Sequence, residues 1–113
     1  MLHELWWNAV KKDLLIDRNA FMVEAAEWGV DPVMVGCDIA ALVIQKDSEV
    51  HFIKLGNHPF TRALIRPVMR VGMTTRVPMG DAVNRAFVRR MGFNYTGTDG
   101  ADCFYKLERL RHV

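Results

Sequence analysis

Over residues 2–15 apolar side chains recur every three or four positions, at Leu2, Leu5, Trp6, Ala9, Val10 and Leu14, with Lys11 and Lys12 between them. That period predicts an amphipathic helix with a lysine-bearing wet face, anchored by Trp6 and Trp7. A second helix is expected from Asp17 or Arg18 to Trp28, where Phe21, Met22, Ala25 and Trp28 share a face. Gly29 reads as its stop, and Pro32 follows. The pattern then changes. Residues 39–45 and 50–55 are apolar and β-branched, and Lys46, Asp47, Ser48 and Glu49 between them make a hairpin connection. The first of these strands barely alternates, so it is expected to be covered on both faces, in a sheet between helices.

Gly56, Asn57, His58 and Pro59 read as a turn before a helix over residues 60–71, with Ala63, Leu64, Val68 and Val71 inward and Arg62, Arg66 and Arg70 four apart. Pro67 lacks an N–H and clashes with the preceding turn, so a kink or an end near Arg66 is expected. Residues 74–79 form a short strand whose Pro78 suits an end or an edge. In the next helix Asp81 is the cap, Val83, Phe87 and Met91 the buried stripe, Arg89 and Arg90 the cations at the negative end, and Gly92 the stop. Two strands, residues 94–98 and 103–107, close the chain around an Asp99–Asp102 hairpin turn. The expected order is α-α-β-β-α-β-α-β-β, an α/β fold with a mixed sheet.

At 113 residues the chain suits one domain spanning residues 1–113. Half of it is apolar and a quarter charged, which excludes a disordered tail or a low-complexity linker. The longest apolar run, residues 39–44, is too short to span a bilayer, and residues 1–17 lack a signal-peptide core, so a cytoplasmic, membrane-free protein is expected. Cys37 and Cys103 form no C-x-x-C pair and are expected to be reduced, buried thiols. No metal site is expected, because His3, His58 and His112 show no ligand spacing.

The net charge of +2 conceals a partition. Residues 1–59 hold five Lys/Arg against nine Asp/Glu, and residues 60–113 hold ten against four, leaving −4 and +6. A basic half attracts polyanions, yet these arginines equally suit solvated helix faces. The lack of an RNP motif, a zinc finger or a Lys/Arg run speaks against nucleic acid.

The segment from Asp81 to Phe93, Asp-Ala-Val-Asn-Arg-Ala-Phe-Val-Arg-Arg-Met-Gly-Phe, leads into a hairpin ending Phe104-Tyr-Lys-Leu-Glu108. It resembles the C-terminal part of GNAT (GCN5-related N-acetyltransferase) domains, which end in a strand, a helix closing on Gly-Phe and two more strands. Thr61-Arg-Ala-Leu-Ile65 after a strand resembles the start of that family's cofactor-binding helix. The order of parts over residues 3–108 agrees, with the family's first strand missing. The chain is also similar to the GNAT-like internal virion proteins of short-tailed phages. These resemblances imply acetyl-CoA as cofactor and an amine as acceptor, or else a catalytically degenerate module. The degenerate module would have a homo-oligomeric or virion protein partner and lie in host cytoplasm or virion.

The family's pyrophosphate loop, [QR]-x-x-G-x-[GA], falls here on Gly56, Pro59 and Thr61. Pro59 removes an N–H and Thr61 adds a branched side chain where the phosphates must approach. Gly56, Asn57, Phe60, Thr61 and Arg62 are the residues the resemblance implies for the cofactor. The tyrosine that protonates the departing thiolate in many members is Val88 here, which leaves Tyr95 or Tyr105 for that role. Glu49 and His51 are the general-base candidates by position, although Glu49 also reads as a turn residue and His51 as a solvent-facing strand position. Ser48 is the only serine and has no G-x-S-x-G context.

Overall fold

A computed structural model describes residues 1–59 and 61–110. It is an α/β protein whose described residues hold four helices and a mixed six-stranded sheet. In chain order the elements are α1 (Leu2–Val10), α2 (Arg18–Ala25), β1 (Gly29–Val35), β2 (Asp38–Lys46), β3 (Glu49–Lys54), α3 (Arg62–Ile65), β4 (Thr74–Pro78), α4 (Ala82–Arg90), β5 (Asn94–Asp99) and β6 (Asp102–Lys106). Short 3₁₀ turns follow α1 and α3. The hydrogen-bonded strand order is β1-β2-β3-β4-β6-β5. By contacts the chain divides into two units, Met1–Asp47 with His51–Pro59, and Ser48–Val50 with Phe60–Val113.

In the first unit, β2 is the spine. Ala40, Ala41, Leu42, Val43 and Ile44 are all buried, as the missing alternation predicts for a strand covered on both faces. Each large side chain so removed from water stabilises the fold by roughly 1.5–3 kcal/mol. β1 pairs antiparallel with β2 from Gly29 opposite Gln45 to Val35 opposite Asp38. This strand departs from the expectation, in which Gly29 and Pro32 only end a helix. A proline is admissible in β1 because the strand lies at the sheet edge, where one row of N–H groups has no ladder to complete. The two-residue connection to β2 begins with Gly36 at φ +61, and β5 and β6 are joined the same way through Gly100 at φ +59. Both are positions where a side chain would be strained.

The helices of this unit meet through rings. Trp6 stands edge-on to Phe21 at 4.9 Å between centroids and near Trp28 at 6.4 Å, and Trp7 lies 5.2 Å from Phe21. Helix α2 starts where Asp17 accepts from Ala20 N and ends at Ala25, three residues before the expected Trp28. His3 Nε2 lies 3.0 Å from the carbonyls of both Ala25 and Trp28. Two acceptors require a proton on that nitrogen, so it donates a forked bond to these two carbonyls, of which Ala25 O also accepts from Trp28 N at 3.0 Å.

In the second unit the start of β3 lies parallel to β4, with Glu49 opposite Thr74. Thr74 N donates to Ser48 O at 2.7 Å, and Arg76 pairs with Glu49 at 3.5 Å. β4 and β5 both pair antiparallel with β6. The core holds Val50, Ile65, Met69, Met73, Val77, Val88, Met91, Phe93, Tyr105 and Leu107. Here Pro67 has the expected effect: α3 stops at Ile65 and gives way to a 3₁₀ turn over Arg66–Val68. Its buried residues are Ile65 and Met69, whereas Ala63 and Val71, expected inside, are exposed: the single turn buries the face of Ile65 instead of that of Ala63, and beyond its early end no helical period places Val71.

Helix α4 is capped by Asp81, whose carboxylate accepts from Asn84 N, and it ends before Gly92. Its buried side is Val88 and Met91, while Val83, expected in the stripe, is 79% exposed. The covered face runs through Arg85, Val88 and Met91 at spacings of three, and Val83 lies off it, so the stripe is rotated around the helix from the expected one. Arg85 Nε is buried with no hydrogen-bond partner among the described residues. Of the two thiols, Cys103 is buried as expected and Cys37 is exposed, because it occupies the second position of the tight β1–β2 turn.

Candidate functional site

The residues implied for a cofactor fall in different settings. Gly56 and Asn57 follow β3 in the first unit and, with His58, line a concavity of about 570 Å³ together with Asp38 and Ile39. His58 Nε2 lies 3.8 Å from an Asp38 carboxylate oxygen across it. Gly56 has no positive φ, and a Cβ there would meet only the His58 ring at 3.8 Å, so the chain itself does not require glycine at this position.

Thr61 and Arg62 belong to the second unit, and Phe60 lies outside the described residues. Thr61 is the cap of α3, its hydroxyl accepting from Leu64 N at 3.2 Å. Arg62 Nε donates to the Arg90 carbonyl at 3.0 Å, beside the C-terminal end of α4 where a cation is favoured. Both side chains are therefore engaged by the protein itself. Helix α3 holds four residues, too few aligned peptide dipoles to make much of a positive terminus.

The acid–base candidates are likewise placed in structural roles. Val88 is 5% exposed inside the core of its unit, so no proton donor stands there. The Tyr95 hydroxyl shares a hydrogen bond with Thr98, and its ring meets that of Tyr105 edge-on at 5.8 Å; Tyr105 is buried. Glu49 is the first residue of β3 rather than a turn residue, and it holds Arg76. His51 is half-buried, 5.8 Å from the Trp28 ring, which replaces the expected solvent-facing position with an aromatic contact.

No family model matches this chain, and no curated protein and no solved structure does either.

A second concavity, of about 680 Å³, adjoins the first and shares Asp38 and Ile39 with it. Its helical wall is one face of α1 and the turn after it, with Leu5, Asn8, Ala9 and Lys12 at helical spacing. Its strand wall comprises the β1–β2 turn at Cys37 and the end of β3 at Lys54 and Leu55. Leu55 N donates to Ala40 O at 3.0 Å, which pins that end against β2. The stripe of α1 was legible in the sequence as a helix face. That one edge of it borders open space required the strand hairpin to be placed first. No described helix is long and apolar enough to cross a membrane.

Proposed function

We propose that this chain is a GNAT-like domain that acts by binding, as a recognition or assembly module whose acyl-transfer chemistry has been lost. The observation that carries the reading is the fate of Thr61 and Arg62. At the head of the expected cofactor helix, both side chains are committed to bonds within the protein, on a helix of a single turn. The replacement of the acid position by buried Val88 agrees with it. The GNAT likeness itself draws support from the element order, from the parallel β3/β4 neighbours, and from α4 ending on Gly92-Phe93 before the β5–β6 hairpin. β1 adds a strand to the order expected from the sequence. A virion partner, as in the GNAT-like proteins of short-tailed phages, belongs to this reading.

Acetyl-CoA tests it. A ligand that binds only the folded chain raises its stability by RT ln(1 + [L]/Kd), so a site of micromolar affinity would raise the melting temperature by several degrees at millimolar acetyl-CoA. The module reading expects an unchanged melting curve and no CoA release with polyamines or peptide amines. A clear upward shift accompanied by CoA release restores the N-acetyltransferase reading, with Gly56, Asn57, Thr61 and Arg62 as its first residues to mutate.

A further inference from the structure

The larger concavity of the first unit combines two features that point to one class of ligand. Its apolar lining is Leu5 and Ala9 of α1, Ile39 of β2 and Leu55 after β3, with the polar Asn8 beside them. Lys12 and Lys54 line it as well, both exposed and neither in an ion pair among the described residues. The acidic residue in the lining is Asp38, which lies 3.8 Å from His58. Two ammonium groups against one carboxylate leave a single excess positive charge beside the apolar side chains. The volume, about 680 Å³, lies within the range of small-molecule sites.

We propose that this groove binds a small amphipathic monoanion, a carboxylate carried on a short apolar body, with the headgroup between Lys12 and Lys54 and the body over Leu5, Ala9, Ile39 and Leu55. The ammonium groups serve as point charges on flexible stems, which tolerate a range of headgroup positions and impose no bidentate geometry. The stems themselves extend the apolar surface, since lysine methylenes pack while the charge stays wet. The proposal is independent of the acyl-transfer question, because none of its residues is among those implied for the cofactor. It survives either outcome of the acetyl-CoA experiment.

Cys37 supplies the readout. Its exposed thiol lines the groove, and the other thiol, Cys103, is buried, so iodoacetamide modifies Cys37 first. Alkylation is timed by mass spectrometry on the full chain with octanoate as the probe and with octanol and octylamine as controls. Octanoate is expected to slow Cys37 modification saturably in the millimolar range, and neither control should do so. Lys12→Met and Lys54→Met keep the stems and remove the charges at exposed positions. Each is expected to weaken protection about two- to fivefold, the size of an exposed ion pair, and the double variant about tenfold. Melting curves verify that the variants fold, and each variant's protection is taken relative to its own ligand-free rate. An unchanged alkylation rate across the octanoate titration overturns the proposal. Equal protection by octanol, or undiminished protection in the folded double variant, overturns the assignment of the lysines as the anion site.

Discussion

His3 illustrates how much a single side chain can hold in a small unit. Its Nε2–H is shared between the Ala25 and Trp28 carbonyls, which tie the first turn of α1 to the end of α2. His3→Ala is expected to destabilise the protein by about 1 kcal/mol, the net worth of such a bond, read as a lower urea midpoint at constant slope. Val88 lies on the opposite side of the functional argument. Because it is packed inside its unit, introducing the missing acid by Val88→Tyr should overpack the core and cost about 1–3 kcal/mol without creating acetyl transfer. Denaturation and a CoA-release assay on the same sample check both halves of that expectation. Neither role could be read from the residue type. The sequence shows a histidine without ligand spacing and a valine where the GNAT resemblance implies a tyrosine, and only the fold reveals that the first bonds two carbonyls and the second is a core residue.

At the scale of elements, legibility followed the strength of local chemistry. Helix α4 begins and ends where the Asp81 and Gly92 signals put it, and its cap is the easiest to test. Asp81→Ala removes the acceptor for Asn84 N and should cost about 1 kcal/mol, measured by thermal or urea unfolding. The β2–β3 and β5–β6 hairpins were equally plain, since turn chemistry sat between runs rich in β-branched or aromatic residues. Strand β1 was hidden because Gly29 and Pro32 are helix-stop signals and also tolerable edge-strand residues, and only pairing with β2 decides between the two. The buried stripe of α4 was misjudged at Val83, since Val83, Phe87 and Met91 and the observed Arg85, Val88 and Met91 are neighbouring stripes of one short helix and only packing chooses between them. Of the cofactor loop that the resemblance implies, the sequence showed a poor match to the motif. It could not reveal that Thr61 caps its own helix or that Arg62 reaches Arg90.

For the molecule as a whole, the acid-rich first half and the basic second half of the sequence follow the two structural units closely, apart from the short Ser48–Val50 exchange. The proposed assembly role would need surface to give to a partner, and residues 14–16 offer a conspicuous one. Leu14, Leu15 and Ile16 are consecutive and exposed between α1 and α2, with Leu15 projecting fully into solvent. Isolated exposed leucines are ordinary, but three in succession favour association. Leu15→Asp is therefore expected to leave the urea midpoint unchanged and to lower the apparent mass at high concentration in light scattering. An unchanged mass would mean that this segment takes no part in self-association.

The solitary guanidinium nitrogen inside α4 bears on engineering. Arg85 keeps its Nε away from solvent without a recipient for that proton among the described residues, an arrangement whose penalty is on the order of 1 kcal/mol or more. Arg85→Met preserves most of the aliphatic stem and dispenses with the stranded donor. Unlike most replacements in a folded interior, it should make the protein melt later than the parent in a scanning calorimeter.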